Sequence, residues 1–263
     1  MKEISKLLRE LKAFYKKEGR DHLPWRKTRD PYKILVSEVM LQQTQVDRVV
    51  GYYKRWIKKF PTAKALSKAK LSGVLKEWQG LGYNRRAKFL HEAAKIITEE
   101  GFTGQKLPGV GPYTQGAVLA FAFNKPEVFI ETNIRTVFTH VCFPHKKQVS
   151  DKGILPLIAE ALKKSKMQPR DFYAALMDYG SYLKQSGVKV NSRSKHYAKQ
   201  SKFEGSARQL RGAILRELLK KPATLAQLEK NLSPRTRREI ETELERLKKE
   251  SLLKKQGARF TIA

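Results

Sequence analysis

Two glycines one residue apart, in Leu107-Pro108-Gly109-Val110-Gly111-Pro112-Tyr113-Thr114, separate two helical patterns. Glycine lets a backbone turn tightly and approach another chain closely, and the N–H groups opening the next helix form a seat for an anion. A plain helix-to-helix connector is the alternative reading of the same turn. No metal chemistry is predicted, because His22, His91, His140, His145 and His196 show no ligand spacing with acidic or thiol partners. The single cysteine, Cys142, excludes an intramolecular disulfide framework and an all-cysteine metal or iron–sulfur site, and reads as a buried small hydrophobe.

The elements around that turn belong to a strongly basic chain. Its 263 residues carry 55 Lys+Arg against 25 Asp+Glu, a formal net charge of +30, with 40% hydrophobic and 10% aromatic residues. The apolar fraction suffices for a sizeable core, which excludes disorder for most of the chain. A charge this one-sided points to nucleic acid, whose counterions Lys and Arg release on binding. An anionic membrane is the rival partner. Against it, no run approaches ~18 consecutive apolar residues, and the N-terminal MKEISKLLRE lacks a signal-peptide apolar region. The expectation is a soluble, cytoplasmic, nucleoid-associated monomer.

Apolar residues recur at three- and four-residue intervals through the first 100 positions, which predicts successive amphipathic helices. Leu7, Leu8, Leu11 and Phe14 fit one helix; Ile34, Leu35, Val39, Met40 and Val46 fit a second that follows Asp30-Pro31. Val49, Tyr53, Trp56 and Phe60 fit a third, stopped at Pro61. Two more cover about 71–79 and 84–99, around Gly80-Leu81-Gly82. Ala117 to Phe123 reads as a buried helix, and further helices fit 133–143, 152–164 and 170–184.

From Lys184 to Lys221, eleven Lys/Arg stand against two acidic residues, with glycines and serines interspersed, which reads as a basic, weakly structured connector. Beyond it, Ala207–Lys220, Leu225–Asn231 and Pro234–Leu253 read as helices and 257–262 as a short strand. This is the order of a winged helix in which Arg235, Arg237 and Arg238 open the recognition helix. A solvated basic helix in a small accessory domain is the alternative.

Leu23-Pro24-Trp25-Arg26, Pro31-Tyr32, Ser37-Glu38-Val39-Met40-Leu41-Gln42-Gln43-Thr44, Gly80-Leu81-Gly82-Tyr83 and the glycine turn together resemble the helix-hairpin-helix (HhH-GPD) base-excision DNA glycosylases. Within them the likeness is to the adenine glycosylase (MutY-like) branch, from about residue 20 to about 183. The resemblance implies an all-α glycosylase domain over 1–204, with a cleft between a helical barrel and a subdomain built from both ends of its chain, then a winged-helix domain at 205–263. It makes the glycine turn, with Leu107, Gly109, Val110, Gly111 and Thr114, a hairpin that grips the DNA backbone, usually with a monovalent cation. Arg85 and Arg86 then read as phosphate contacts.

Excising a purine requires a base turned out of the stack, a proton for the departing base, and stabilisation of the positive sugar. By resemblance, Glu38 is the acid that protonates adenine N7, with burial raising its pKa. Gln42 and Gln43 match positions that fill the duplex gap, and Arg26 matches a pocket arginine. Tyr113 stands where the endonuclease III branch carries a lysine nucleophile, which implies a monofunctional enzyme that forms no Schiff base with the sugar.

The sequence also departs from the family. Glu131 replaces an aspartate, and one added methylene moves its carboxylate by about 1.5 Å; a displacement of ~1 Å can cost ~100-fold in rate. Its alternative role is to cap the helix that begins near Asn133, the residue matching the family asparagine that holds carboxylate and substrate. Asn84 stands where the adenine branch has a second tyrosine wedged beside 8-oxoguanine, while Tyr83 fits core packing as well as function. The four cluster cysteines project onto Lys184, Asn191, Ser194 and Gln200, so the 184–204 loop is expected to be clusterless. Lys184, Lys189, Arg193, Lys195 and Lys199 are then its electrostatic substitutes. A winged helix stands where relatives often carry a Nudix-like domain.

The expected partner is double-stranded DNA containing a mismatch or damaged base, and the leading substrate is adenine opposite 8-oxoguanine or guanine. Hypoxanthine, or uracil or thymine opposite guanine, is the alternative within enzymes. A catalytically silent DNA-lesion-binding protein is the alternative outside them.

Overall fold

The computed structural model describes residues 2–195, 197 and 202–263; His196, Lys199 and Gln200, named above, lie outside the described residues. The chain opens with α1 (Lys2–Glu18), whose Ile4, Leu7, Leu8 and Leu11 form the buried stripe. A 3-10 turn at Pro24–Lys27 leads to α2 (Pro31–Leu41). Asp30 caps it by accepting from the N–H groups of Tyr32 and Lys33. Gln43 takes a left-handed φ of +57°, so Val46, expected on the second helix, instead opens α3 (Val46–Lys59). Next comes α4 (Ala63–Ser67), capped by Thr62 and too short for its period to show in the sequence. Then follow α5 (Leu71–Trp78), α6 (Arg85–Glu100), α7 (Pro112–Phe123), α8 (Thr132–Cys142), α9 (Asp151–Ser165) and α10 (Pro169–Gln185).

The C-terminal elements are α11 (Ala207–Lys220), β1 (Ala223–Thr224), α12 (Leu225–Asn231), α13 (Arg237–Lys249), β2 (Leu253–Gln256) and β3 (Arg259–Ile262). The strands form an antiparallel sheet of order β1-β3-β2. The two-residue β1 has too little alternation to be read from sequence. The helix expected over Pro234–Leu253 is shorter. Thr236 and Glu239 form a capping box that starts α13 at Arg237, and Ser251, with φ +53°, turns the chain into β2.

Two compact units result, one from Met1–Glu38 with Val110–Lys199, the other from Val39–Gly109 with Gln200–Ala263. In the first, α8 packs along α10, and α1 lies against α9 and α10, around buried Leu7, Leu11, Phe138, Phe172 and Tyr173. In the second, α6 lies against α4 and α5, with Trp56 and Trp78 edge to face at 5.3 Å. The same unit packs α11 against α13 and α5 over Leu210, Ile214 and Leu244. No described helix is long and apolar enough to cross a membrane.

Candidate active site

The first unit gathers the acid–base groups. Glu38 lies on α2 and is 4% exposed. The Tyr113 hydroxyl, on the first turn of α7, donates to Glu38 Oε2 at 2.5 Å, which directs the carboxyl proton to Oε1. Burial lifts Glu38 from the ordinary 4.5 to about 7; the Tyr113 bond opposes that rise, and the charge on Glu131 adds to it. Tyr113 is driven well above its usual value, first by burial and then by both glutamates, so it stays a donor.

Glu131 is the N-cap of α8, as its alternative reading expected. Its Oε1 accepts from the N–H groups of Asn133 at 2.7 Å and Ile134 at 2.9 Å, and Oε2 lies 3.4 Å from Asn133 Nδ2. Desolvation raises its pKa, opposed by those backbone bonds and then by the positive charge of Lys184. The cap therefore fixes the carboxyl at the head of a helix, where the backbone N–H groups and the Lys184 charge offset part of the cost of burial.

Asp178, to which the sequence reading gave no role, anchors the arginines. Its side chain is 1% exposed, and it accepts from Arg20 Nε at 2.8 Å, from the Arg20 N–H at 2.9 Å and from Arg26 Nη2 at 3.2 Å. The Arg170 guanidinium donates to the carbonyls of Arg26, Thr28 and Phe121, which fixes the turn bearing Arg26. Arg26 also lies 5.5 Å from the Phe121 ring centroid. Its Nη1 and Asn133 Oδ1 are buried and have no partner among the described residues, so a donor and an acceptor remain for a ligand.

Gly180 sets how closely α10 approaches α8. A Cβ there would stand 2.3 Å from the Asn133 carbonyl oxygen, so no larger residue fits without moving the first turn of α8. Gly180→Ala is expected to cost about 2 kcal/mol of stability by overpacking. If the site catalyses as proposed below, the displaced Glu131 and Asn133 should cost about 100-fold in single-turnover rate. Thermal unfolding and base-release kinetics check both, and an unchanged rate would contradict the positioning role.

The first residues after α10, 186–195, are tied by hydrogen bonds rather than weakly structured. Thr136 Oγ1 donates to Asn191 Oδ1 at 2.7 Å, Arg193 donates to the carbonyls of Lys146 and Phe143, and Val149 exchanges backbone bonds with Arg193 and Lys195. Asn191 and Ser194, at projected cluster positions, are thus a hydrogen-bonding amide and a buried hydroxyl, and Lys184 is an amine; none of these offers the thiolate that an iron–sulfur cluster needs. Arg193, expected to supply surface charge, is spent on carbonyls. Cys142 is half-buried rather than buried, and burial pushes its thiol up to about 11.

The second unit holds the other predicted residues. Gln43 is exposed in its left-handed conformation, and Gln42 is half-buried. Gly80 takes φ +92° with a Cβ position 2.1 Å from the Tyr52 hydroxyl, so only glycine fits there. Asn84 starts α6, and Arg85 is exposed, stacked 4.7 Å from the Phe89 ring centroid. Gly109 takes φ +69° and presses on Phe89.

Several of these residues are not placed as expected. Arg86 is no phosphate contact: it is 9% exposed, with its guanidinium donating to the carbonyls of Val39, Met40, Gln42, Leu81 and Gly82. Leu107 and Thr114 are buried, so their side chains anchor the turn rather than face a backbone, whereas Gly109 and Gly111 are exposed and Val110 partly so. Arg235 precedes α13 and donates to Gly205, Gln209 and Glu239, while Arg237 pairs with Glu229 and Glu241. Arg238 is exposed.

The family described as HhH-GPD superfamily base excision DNA repair protein matches residues 36–163. An adenine DNA glycosylase of Buchnera aphidicola subsp. Baizongia pistaciae is 35% identical over 181 residues, covering 65% of this chain and 50% of that protein. One from Mycolicibacterium smegmatis is 39% identical over 181 residues, covering 65% and 61%. This chain therefore spans only about half of the first relative and three fifths of the second. Among solved structures, that of a thermostable thymine-DNA glycosylase superposes with a TM-score of 0.59 at 26% identity, covering 74% of this chain and 97% of that one.

Proposed function

We propose that the chain is a monofunctional DNA glycosylase of the HhH-GPD superfamily of base excision DNA repair proteins, on its MutY-like adenine glycosylase branch. Its leading substrate is adenine opposite 8-oxoguanine or guanine, turned out of double-stranded DNA. The observation that carries this reading is Glu38, a buried carboxyl whose pKa of about 7 keeps a proton available near neutral pH.

Glu38 gives that proton to N7 of the departing base, and the C1′–N9 electron pair leaves with the base. Glu131 faces the oxocarbenium sugar, and water adds to C1′ while its proton passes back to a carboxylate. Arg26 Nη1 and Asn133 Oδ1 meet polar atoms of the substrate. Because Tyr113 offers no amine, the strand is left abasic and unnicked.

Gln42, Gln43, Tyr83 and Asn84 belong to the duplex-facing part of this reading, with Arg85 and the exposed backbone of the Gly109–Gly111 turn on phosphates. A monovalent cation at that turn fits the chemistry of its donors. Its main-chain carbonyls are oxygen donors of the kind that a hard cation takes. The α11–β3 segment has the element order of a winged helix and is read as an added DNA-binding body, with Arg238 outward.

Duplexes carrying A:8-oxoG, A:G, hypoxanthine, U:G and T:G, treated with alkali after incubation, test the reading. Alkali-labile sites at adenine support it. Sites only at thymine or uracil support a pocket rebuilt around Glu131 and Asn84, the reading that the likeness to a thymine-DNA glycosylase favours. Binding without any cleavage leaves a lesion-binding protein. The rate should fall about tenfold per pH unit above 7, because Glu38 must be protonated to act; a rate flat to pH 9 would remove Glu38 as the acid.

A further inference from the structure

Within the second unit, three side chains form a stack with an open end. The Arg208 guanidinium lies 5.1 Å from the Tyr83 ring centroid and 5.4 Å from that of Phe203, and its Nη1 donates to the Tyr83 hydroxyl at 2.5 Å. Arg86 also lies near Tyr83, 5.5 Å from its ring centroid, and Tyr83 holds φ +49°, which a non-glycine residue keeps only where its surroundings impose it. The segment bearing Phe203 is equally fixed. Ser206 donates to the Phe203 carbonyl through Oγ at 2.6 Å and through N–H at 3.1 Å, Gly205 N–H donates to Gln209 Oε1, and Arg235 donates to the Gly205 carbonyl.

Despite this anchoring, Phe203 is 54% exposed, within Lys202-Phe203-Glu204. A large aromatic ring exposed on an anchored backbone, backed by a cation and flanked by Lys202 in a chain of charge +30, matches a flat π-faced ligand tethered to an anionic backbone. We propose that Tyr83, Arg208 and Phe203 form a base-stacking platform, and that Phe203 takes an unstacked nucleobase of the bound DNA on its open face. Aromatic rings and Arg planes are the surfaces on which nucleobases stack. The proposal rests on the DNA glycosylase reading and gives the C-terminal segment a part in handling the opened duplex. It also gives Arg208 its role: a planar guanidinium stacks flat on an aromatic ring, a geometry that a compact ammonium lacks.

The test compares the 263-residue chain with its Phe203→Ala, Phe203→Trp and Arg208→Lys variants, using fluorescence anisotropy on an undamaged duplex and on one with a tetrahydrofuran abasic-site analogue. A 2-aminopurine probe is placed in turn opposite the analogue and at each neighbouring position. Phe203→Ala should weaken binding to the abasic duplex about 10-fold and to the undamaged one by about 2-fold or less, with Arg208→Lys following it and Phe203→Trp close to the parent. The parent should quench 2-aminopurine at one position, and Phe203→Ala should abolish that quenching. If Phe203→Ala keeps the parent's preference and quenching, or weakens both duplexes equally, this inference falls alone. A parent that binds neither duplex overturns the glycosylase reading with it.

Discussion

Glu38→Gln should lower single-turnover base release by about 10³-fold while leaving duplex affinity within about twofold, because the amide keeps the shape and loses the proton that general-acid catalysis uses. The same substitution should stabilise the protein at alkaline pH. The folded-state pKa of Glu38 is raised, to about 7 from 4.5, so its favourable contribution is complete below pH 4.5 and is lost as pH rises through 7. That difference corresponds to about 3 kcal/mol at pH 8, and replacing the carboxyl with an uncharged amide removes it. Thermal melts at pH 4.5 and pH 8 should therefore show the variant near the parent at the lower pH and more stable at the higher one. A variant that releases base at the parental rate, or gains nothing at pH 8, would show that Glu38 is an ordinary charged carboxylate.

Arg86→Ala should be the most destabilising single truncation in the second unit. Its Nη1 donates to the carbonyls of Val39 at 2.7 Å, Met40 at 3.1 Å and Gln42 at 2.6 Å; Nη2 donates to Leu81, Gly82 and the Thr44 hydroxyl. Val39 and Met40 lie in the last turn of α2, whose carbonyls have no intrahelical partner and carry the negative end of the helix dipole. The guanidinium also lies 5.2 Å from the Trp78 ring centroid. Burial depresses its pKa only to about 10, so it remains charged at neutral pH. Truncation strands several buried carbonyls at once, a loss of about 4 kcal/mol and a fall in Tm of roughly 10 °C. Arg86→Lys reaches fewer of these oxygens and should lose about half as much. Urea unfolding measures both, and a loss under about 1 kcal/mol for Arg86→Ala would contradict the bonding described.

Most helices were legible because long amphipathic segments announce their period: α8 to α12 lie within a residue or two of their expected bounds. The errors cluster where local backbone geometry outweighs pattern. Val46 fitted the apolar spacing of α2, yet the positive φ at Gln43 breaks the helix before it. At the site, resemblance picked out Glu38, Tyr113 and Glu131, while helix-capping rules alone suggested Glu131 as a cap. What sequence did not give was the purpose of each positive charge. Arg85 and Arg86 are adjacent and identical in kind, yet one is exposed and the other buried among carbonyls. Only tertiary packing makes that distinction, as it does for Asp178, whose value lies in two arginines more than 150 positions away.

The bonding of Arg86 bears on how such a protein changes over generations. Five of its six acceptors are main-chain oxygens, which every amino acid supplies. Position 42 meets Arg86 through its carbonyl, an acceptor that any residue standing there would keep. A lineage can therefore exchange residues at these acceptor positions one at a time and keep the main-chain bonds to Arg86 that hold the frame.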